Sequence, residues 1–135
     1  MESRTQREIV EAYKVLNKIC QQNTSLATAA KAFKMRSALT EQWKFQGEQE
    51  EKIFGAHDGL TFNNGSVSKQ LPEDASQEDA DKIREELMEI RKALTDLSDM
   101  IVEVDITPFI IPANENLRLS GDDLAALDGF VKVEV

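Results

Sequence analysis

Apolar residues recur along the chain first at helical spacing and later at alternating spacing. Ile9, Tyr13, Leu16 and Cys20 follow one another at steps of four, three and four, with Val10 and Ile19 widening the stripe. That is one apolar helical face. Thr5-Gln6-Arg7-Glu8 ahead of it has capping-box spacing, so a first helix is predicted over about 6–22, broken at Asn23-Thr24-Ser25. From the cap Ser25 a second helix runs over about 25–54 and spans ~45 Å. It carries two stripes, Leu26-Ala29-Ala30-Phe33 and Ala32-Met35-Leu39-Trp43, which predict packing on two sides over its first half. Gly55 suits a left-handed exit.

The third helix has the clearest pattern. After the start signal Ser76-Gln77-Glu78-Asp79, the residues Ala80, Ile83, Leu87, Ile90, Leu94, Leu97 and Ile101 form an unbroken seam at alternating steps of three and four. It fits the core stripe of a bundle or a coiled-coil contact over about 77–100. Between the second and third helices, Asn64-Gly65 flanked by Leu60-Thr61-Phe62 and Ser66-Val67-Ser68 signals a hairpin over about 59–69, with a disordered loop as the competitor. Residues 70–76, with Pro72 and small acidic side chains, read as a linker.

From Val102 the period changes to two. Val102, Val104 and Ile106 alternate with Glu103 and Asp105; Pro108 and Pro112 bracket Phe109-Ile110-Ile111; Leu117 and Leu119 flank Arg118. Ser120-Gly121-Asp122-Asp123 then starts a short helix, its two carboxylates facing the positive end of the dipole. Leu124, Ala125 and Leu127 are expected to bury one face. Gly129 ends the helix, and Phe130–Val135 is a strand expected to pair with Val102–Ile106. The expected fold is mainly α, or α+β. Three long helices form a bundle or elongated hairpin, and 101–135 supplies a small strand–helix–strand element.

Length and composition narrow the classes. The 135 residues suggest one domain covering 1–135, large enough for its own core. One cysteine, Cys20, and no apolar run near ~20 residues point to a soluble cytosolic protein with no membrane association. The net charge of −9 is uneven: residues 1–47 carry eight Lys/Arg against four Glu, and 48–135 carry eight against twenty-one Asp/Glu. Direct nucleic-acid binding is not expected of such a surface, because it relies on cations.

Candidate chemistry is sparse. One Cys and one His do not make a zinc site. His57-Asp58 with Glu50 and Glu51 could hold a cation loosely, although a solvated loop is the better reading. Asp74, Ser76 and Glu78 mimic part of a calcium loop, but Asp79 stands where the glycine is needed. No catalytic, metal or cofactor residue is assigned. Two surface features remain. Glu78, Asp81, Glu85, Glu89, Asp96 and Asp99 form an acidic ridge ~30 Å long on the third helix, away from its seam. Such a ridge could mimic a nucleic-acid backbone, or be an ordinary solvated face. Trp43, Phe45, Ile53 and Phe54 are large apolar residues on a polar stretch and suggest an interface, either covered by the hairpin or shared in a two-fold homodimer.

The order of parts also resembles a known family. "IVEAYKVLNKI", "EEKIFG", the "NNG" hairpin, "ELMEIRKALTDLSDMIVEVDI" and "RLSGDDLAALDGFV" are similar to segments of a family of small phage and prophage proteins. Its markers here are Ile9, Tyr13, Leu16, Asn17, Leu119, Leu124 and Leu127, and the long polar linker before the third helix departs from it. The resemblance implies a viral origin and an accessory or assembly role in the bacterial host cytosol. Three functions are carried forward: a non-enzymatic protein that binds another protein or itself, an acidic inhibitor of a host nucleic-acid-handling or defence system, and a small-ligand binder or enzyme.

Overall fold

The structure is a computed structural model. It describes residues 2–63 and 66–134, leaving aside the side chains of Phe62, Asn63 and Ser66. Met1, Val135 and Asn64-Gly65, where the sequence predicts the hairpin turn, lie outside the described residues. In chain order the elements are β1 (Glu2–Thr5), α1 (Gln6–Cys20), α2 (Leu26–Gly55), β2 (Leu60–Asn63), β3 (Ser66–Lys69), α3 (Gln77–Asp99), β4 (Ile101–Val104), β5 (Phe109–Ile111), α4 (Gly121–Ala126) and β6 (Val131–Val133). The protein is mainly helical with short strands. Its residues group into two compact units, Met1–Gln46 with Met100–Val135, and Gly47–Asp99.

Unit 1 holds the main core. Ile9, Ala12, Val15, Leu16 and Ile19 of α1 meet Ala32, Met35 and Leu39 of α2, together with Val104, Ile106, Ile111, Leu127, Phe130 and Val131. The buried face of α1 is therefore rotated from the predicted stripe. Ala12 and Val15 are inside, while Tyr13 and Cys20 are half-buried at its margin. On α2 one of the two predicted stripes is buried and the other faces solvent: Leu26 is 87% exposed and Phe33 58%.

The first helix is started as its sequence requires. Glu8 N donates to Thr5 Oγ1 (3.2 Å) and Thr5 N donates to Glu8 Oε1 (3.1 Å), which completes the capping box. Just before it, β1 runs antiparallel to β4, with Glu2 opposite Val104 and Thr5 opposite Ile101. The expected partner of Val102–Ile106 was the C-terminal strand, and this is corrected. β6 pairs instead in parallel with β5, Phe109 opposite Val131 and Ile111 opposite Val133. The alternation itself holds, since Val104 and Ile106 are buried while Glu103 and Asp105 are exposed. Leu117 and Leu119 form no strand. The Gln22 side chain holds the backbone between them, accepting from Arg118 N (2.8 Å) and donating to Arg118 O (3.2 Å).

Ser120 and Asp123 cap α4 reciprocally (Asp123 N to Ser120 Oγ 3.1 Å, Ser120 N to Asp123 Oδ2 3.0 Å). Leu127, just after α4, is buried, whereas Leu124 and Ala125 are exposed, contrary to the expected apolar face. Gly129 takes φ +82°, and a Cβ there would stand 2.7 Å from Arg4 Nη2. The positive φ and that close approach both favour glycine at the turn into β6.

Unit 2 contains the end of α2, the β2–β3 hairpin and α3. β2 and β3 pair antiparallel, Leu60 opposite Lys69. The second helix runs through Gly55, and the left-handed glycine is Gly59 (φ +71°), not Gly55. Ser76 and Asp79 cap α3 reciprocally (3.2 and 3.3 Å). Of its predicted seam only Ile90 and Leu97 are buried; Ala80, Ile83, Leu87 and Leu94 are half-buried. Ile101, the last seam residue, is exposed because it lies beyond the helix on β4.

Candidate functional site

Several polar groups of the kind that carries chemistry are tied into structure. Asp123 accepts a 2.6 Å bond from Lys18 Nζ of α1, and this bond is the main reason its carboxyl is held below the usual range, aided by Ser120 N. The aspartate pair thus starts a helix, and Asp123 also fastens it to α1.

Glu115 had no signal in the sequence, yet it organises the start of α2. Its carboxylate accepts from Ser25 N (2.7 Å), Ser25 Oγ (2.8 Å) and Thr28 Oγ1 (2.5 Å). Thr28 is buried, and the negative group sits where the helix dipole is positive. These bonds, that from Thr28 foremost, lower the Glu115 pKa. A lowered pKa stabilises the fold above the ordinary glutamate value of 4.5, and the stabilisation is lost as pH falls through the folded value. Amide exchange at Ser25–Ala29, taken relative to the intrinsic rate at each pH, should therefore rise on acidification below pH 4.5. Glu115→Gln should raise it at neutral pH and flatten that acid response. An unchanged acid response in the variant would assign it to other groups.

In unit 2, His57 does not join Glu50 and Glu51 in a cation site. Its Nδ1 lies 3.6 Å from Glu86 Oε2, and Lys69 Nζ donates to Glu86 Oε1 at 2.9 Å. The Lys69 bond, with the charges of Lys69 and His57, lowers the Glu86 pKa against the opposing effect of burial. The three residues tie the loop after α2, the hairpin and α3 together. Among the described residues, no group of three or more His, Cys, Asp and Glu could hold a metal ion.

The predicted surface residues are placed as follows. Glu78, Asp81, Glu85, Glu89, Asp96 and Asp99 are all exposed on α3. Lys82 approaches Glu78 (3.6 Å) and Arg84 approaches Asp81 (3.5 Å). Unit 2 as a whole carries six Lys/Arg against fourteen Asp/Glu, so most of the excess negative charge lies there. Trp43, Phe45, Ile53 and Phe54 are each half-buried. Trp43 stacks on Tyr13 with centroids 4.6 Å apart and planes 12° from parallel, so the chain itself covers part of that ring. The four share one helix, but Trp43 and Phe45 belong to unit 1 and Ile53 and Phe54 to unit 2.

Sequence reasoning misassigned one feature of unit 1 and missed another. One is the outward stripe of Leu26 and Phe33, seven residues apart and so on one side of α2. Arg36 lies over the Phe33 ring at 5.6 Å and donates to Asn17 Oδ1 (2.9 Å), which helps hold the ring in place. The other is a groove of about 560 Å³ between α2 and the segment 105–110. Met35 and Ala38 supply apolar wall on one side and Phe109 and Ile110 on the other, with Lys31, Lys34 and Asp105 at its margins. Its only sequence signal was the lysine pair three residues apart.

No family model, no curated protein and no solved structure matches this chain.

Proposed function

We propose that the protein is a non-enzymatic accessory protein of phage or prophage origin that works in the bacterial host cytosol by binding another protein. The observation that carries this reading is the outward stripe on α2. A leucine and a phenylalanine, 87% and 58% exposed, sit one above the other on the side of the helix away from the core. Large apolar side chains grouped in this way mark contact surfaces more often than single ones do. Among the described residues, no helix is long and apolar enough to cross a membrane, which is compatible with this placement. The bundle or elongated hairpin of three long helices belongs with the proposal, as the arrangement a partner would complete against the half-buried seam of α3.

Site-specific cross-linking tests it. Benzoylphenylalanine at position 33, in cells producing the phage, should trap one defined protein. The same group at Lys44, exposed on the same helix, should not. Equal trapping at both positions, or none at 33, would overturn the reading. A self-associating form is a two-fold dimer through the far half of α2. Light scattering at tens of micromolar that gives a monomer, with Ile53→Asp leaving mass and solubility unchanged, would remove it.

A second reading is favoured by the ridge on α3, where all six carboxylates face solvent on the more acidic unit. It is an acidic inhibitor occupying a cationic groove of a host nucleic-acid-handling or defence protein. Glu85→Lys with Glu89→Lys should abolish binding to such a protein while circular dichroism stays the same. Retained binding would exclude mimicry.

A further inference from the structure

The groove of unit 1 lies beside an open strand edge. Among the described residues β5 pairs with β6 alone, and Glu134 N donates to Ile111 O on that side (3.0 Å). Along a strand, successive residues point their N–H and C=O to opposite edges. Phe109 and Ile111 therefore face β6, and the Ile110 N–H and C=O face away from it. The Ile110 side chain is 48% exposed. No residue of β6 lines the groove, whereas Phe109 and Ile110 do, so the groove borders β5 away from its partner. Pro108 and Pro112 have no N–H to offer, and only a short added strand, centred on Ile110, can bond there.

The groove's charge selects the occupant. Lys31 and Lys34 are exposed at the α2 margin, and among the described residues neither has an ion-pair partner. Asp105, in the opposite wall, repels a carboxylate placed near it. Acidic side chains of an occupant are thus directed toward α2, and apolar ones toward Met35, Ala38 and Phe109. About 560 Å³ falls within the usual range for binding clefts. We propose that this groove binds an extended acidic peptide segment of a partner protein, added as a strand on the free edge of β5.

This proposal rests on the protein-binding reading but is tested separately from it. The probe is a labelled peptide, acetyl-Glu-Val-Glu-Val-Glu-Val-amide, titrated with the full chain and followed by fluorescence anisotropy. Saturable binding is expected, weakening as salt rises. Lys31→Glu with Lys34→Glu should weaken it about tenfold or more, with the melting curve unchanged because both side chains are exposed. N-methylation of the central valine amides, which alters the peptide and not the protein, should weaken it comparably. A Lys-Val peptide of the same length should not bind. The proposal is overturned by an unsaturable signal, by equal binding of the two peptides, or by an affinity indifferent to the charge reversal or the N-methylation. A failed peptide beside a partner trapped at position 33 would sink the groove proposal and leave the protein-binding reading standing.

Discussion

Phe130→Ala is expected to destabilise unit 1 by about 3–5 kcal/mol, the usual cost of removing a buried aromatic ring and leaving its cavity. Phe130 is 1% exposed and is among the largest fully buried side chains. It belongs to the same core cluster as Ile9, Leu16 and Leu39, although it lies near the end of the chain. The backbone around it is closed tightly, with Phe130 N and Val131 N both donating to Leu127 O (2.8 and 2.9 Å). Arg4 stands over the ring at 5.3 Å and donates to Gly129 O (3.2 Å). Loss of the ring therefore removes core packing and also the surface against which β1 is fixed by its arginine. Val131 and β6 follow directly, so the loosening should appear at β5, the partner of β6, and not at the end of α3. Urea unfolding gives the energy, and amide exchange at Phe109–Ile111 gives the location. Leu124→Ala is the control, expected within about 0.5 kcal/mol of the parent because that side chain is exposed. A Phe130→Ala cost under about 1 kcal/mol would mean that the terminal segment is not part of the core.

The pairing of this terminal segment was not legible in the sequence. Val131 and Val133 alternate like Val102 and Val104, and matching periods suggested that they were partners. Period two says which face is buried but not which strand lies alongside. The actual partner of β4 is Glu2–Thr5, four polar residues with no apolar alternation to announce a strand. The actual partner of β6 is a three-residue run between two prolines. Helix starts were far easier, because Thr5, Ser76 and Ser120 cap through residues three positions away, and local chemistry fixes local geometry. The two stripes of α2 show the limit of periodicity. Both recur at helical spacing, but only tertiary packing decides that Ala32, Met35 and Leu39 go inside and Leu26 and Phe33 outside. The exposure of the six α3 carboxylates was readable because charged side chains repeated at helical spacing rarely face a core. Glu115 and the groove were not readable, since each joins α2 to residues some seventy or more positions away.

Ile90→Asp should have the largest effect in unit 2, unfolding most of it. Ile90 is 1% exposed, and among the described residues the other apolar side chains buried in Gly47–Asp99 are Val67 and Leu97. A unit of about 50 residues has a small core and correspondingly little stability, on the order of 0.1 kcal/mol per residue. An unpaired carboxylate at a buried site costs about 3–5 kcal/mol, comparable to that whole reserve. The uniform seam read from the sequence gave Leu87 the same weight. Leu87 is only half-buried, so Leu87→Asp should cost clearly less than Ile90→Asp. Glu89→Lys, beside Ile90 but exposed, should be nearly neutral. Trp43, the single tryptophan, distinguishes the two units, because it stacks on Tyr13 within unit 1. In Ile90→Asp the helical circular dichroism should fall in the absence of denaturant, while the Trp43 fluorescence transition in urea remains. Loss of both signals together would show that unit 1 depends on unit 2 for its fold. A variant with unaltered dichroism and melting would show that α3 does not bury Ile90 at all.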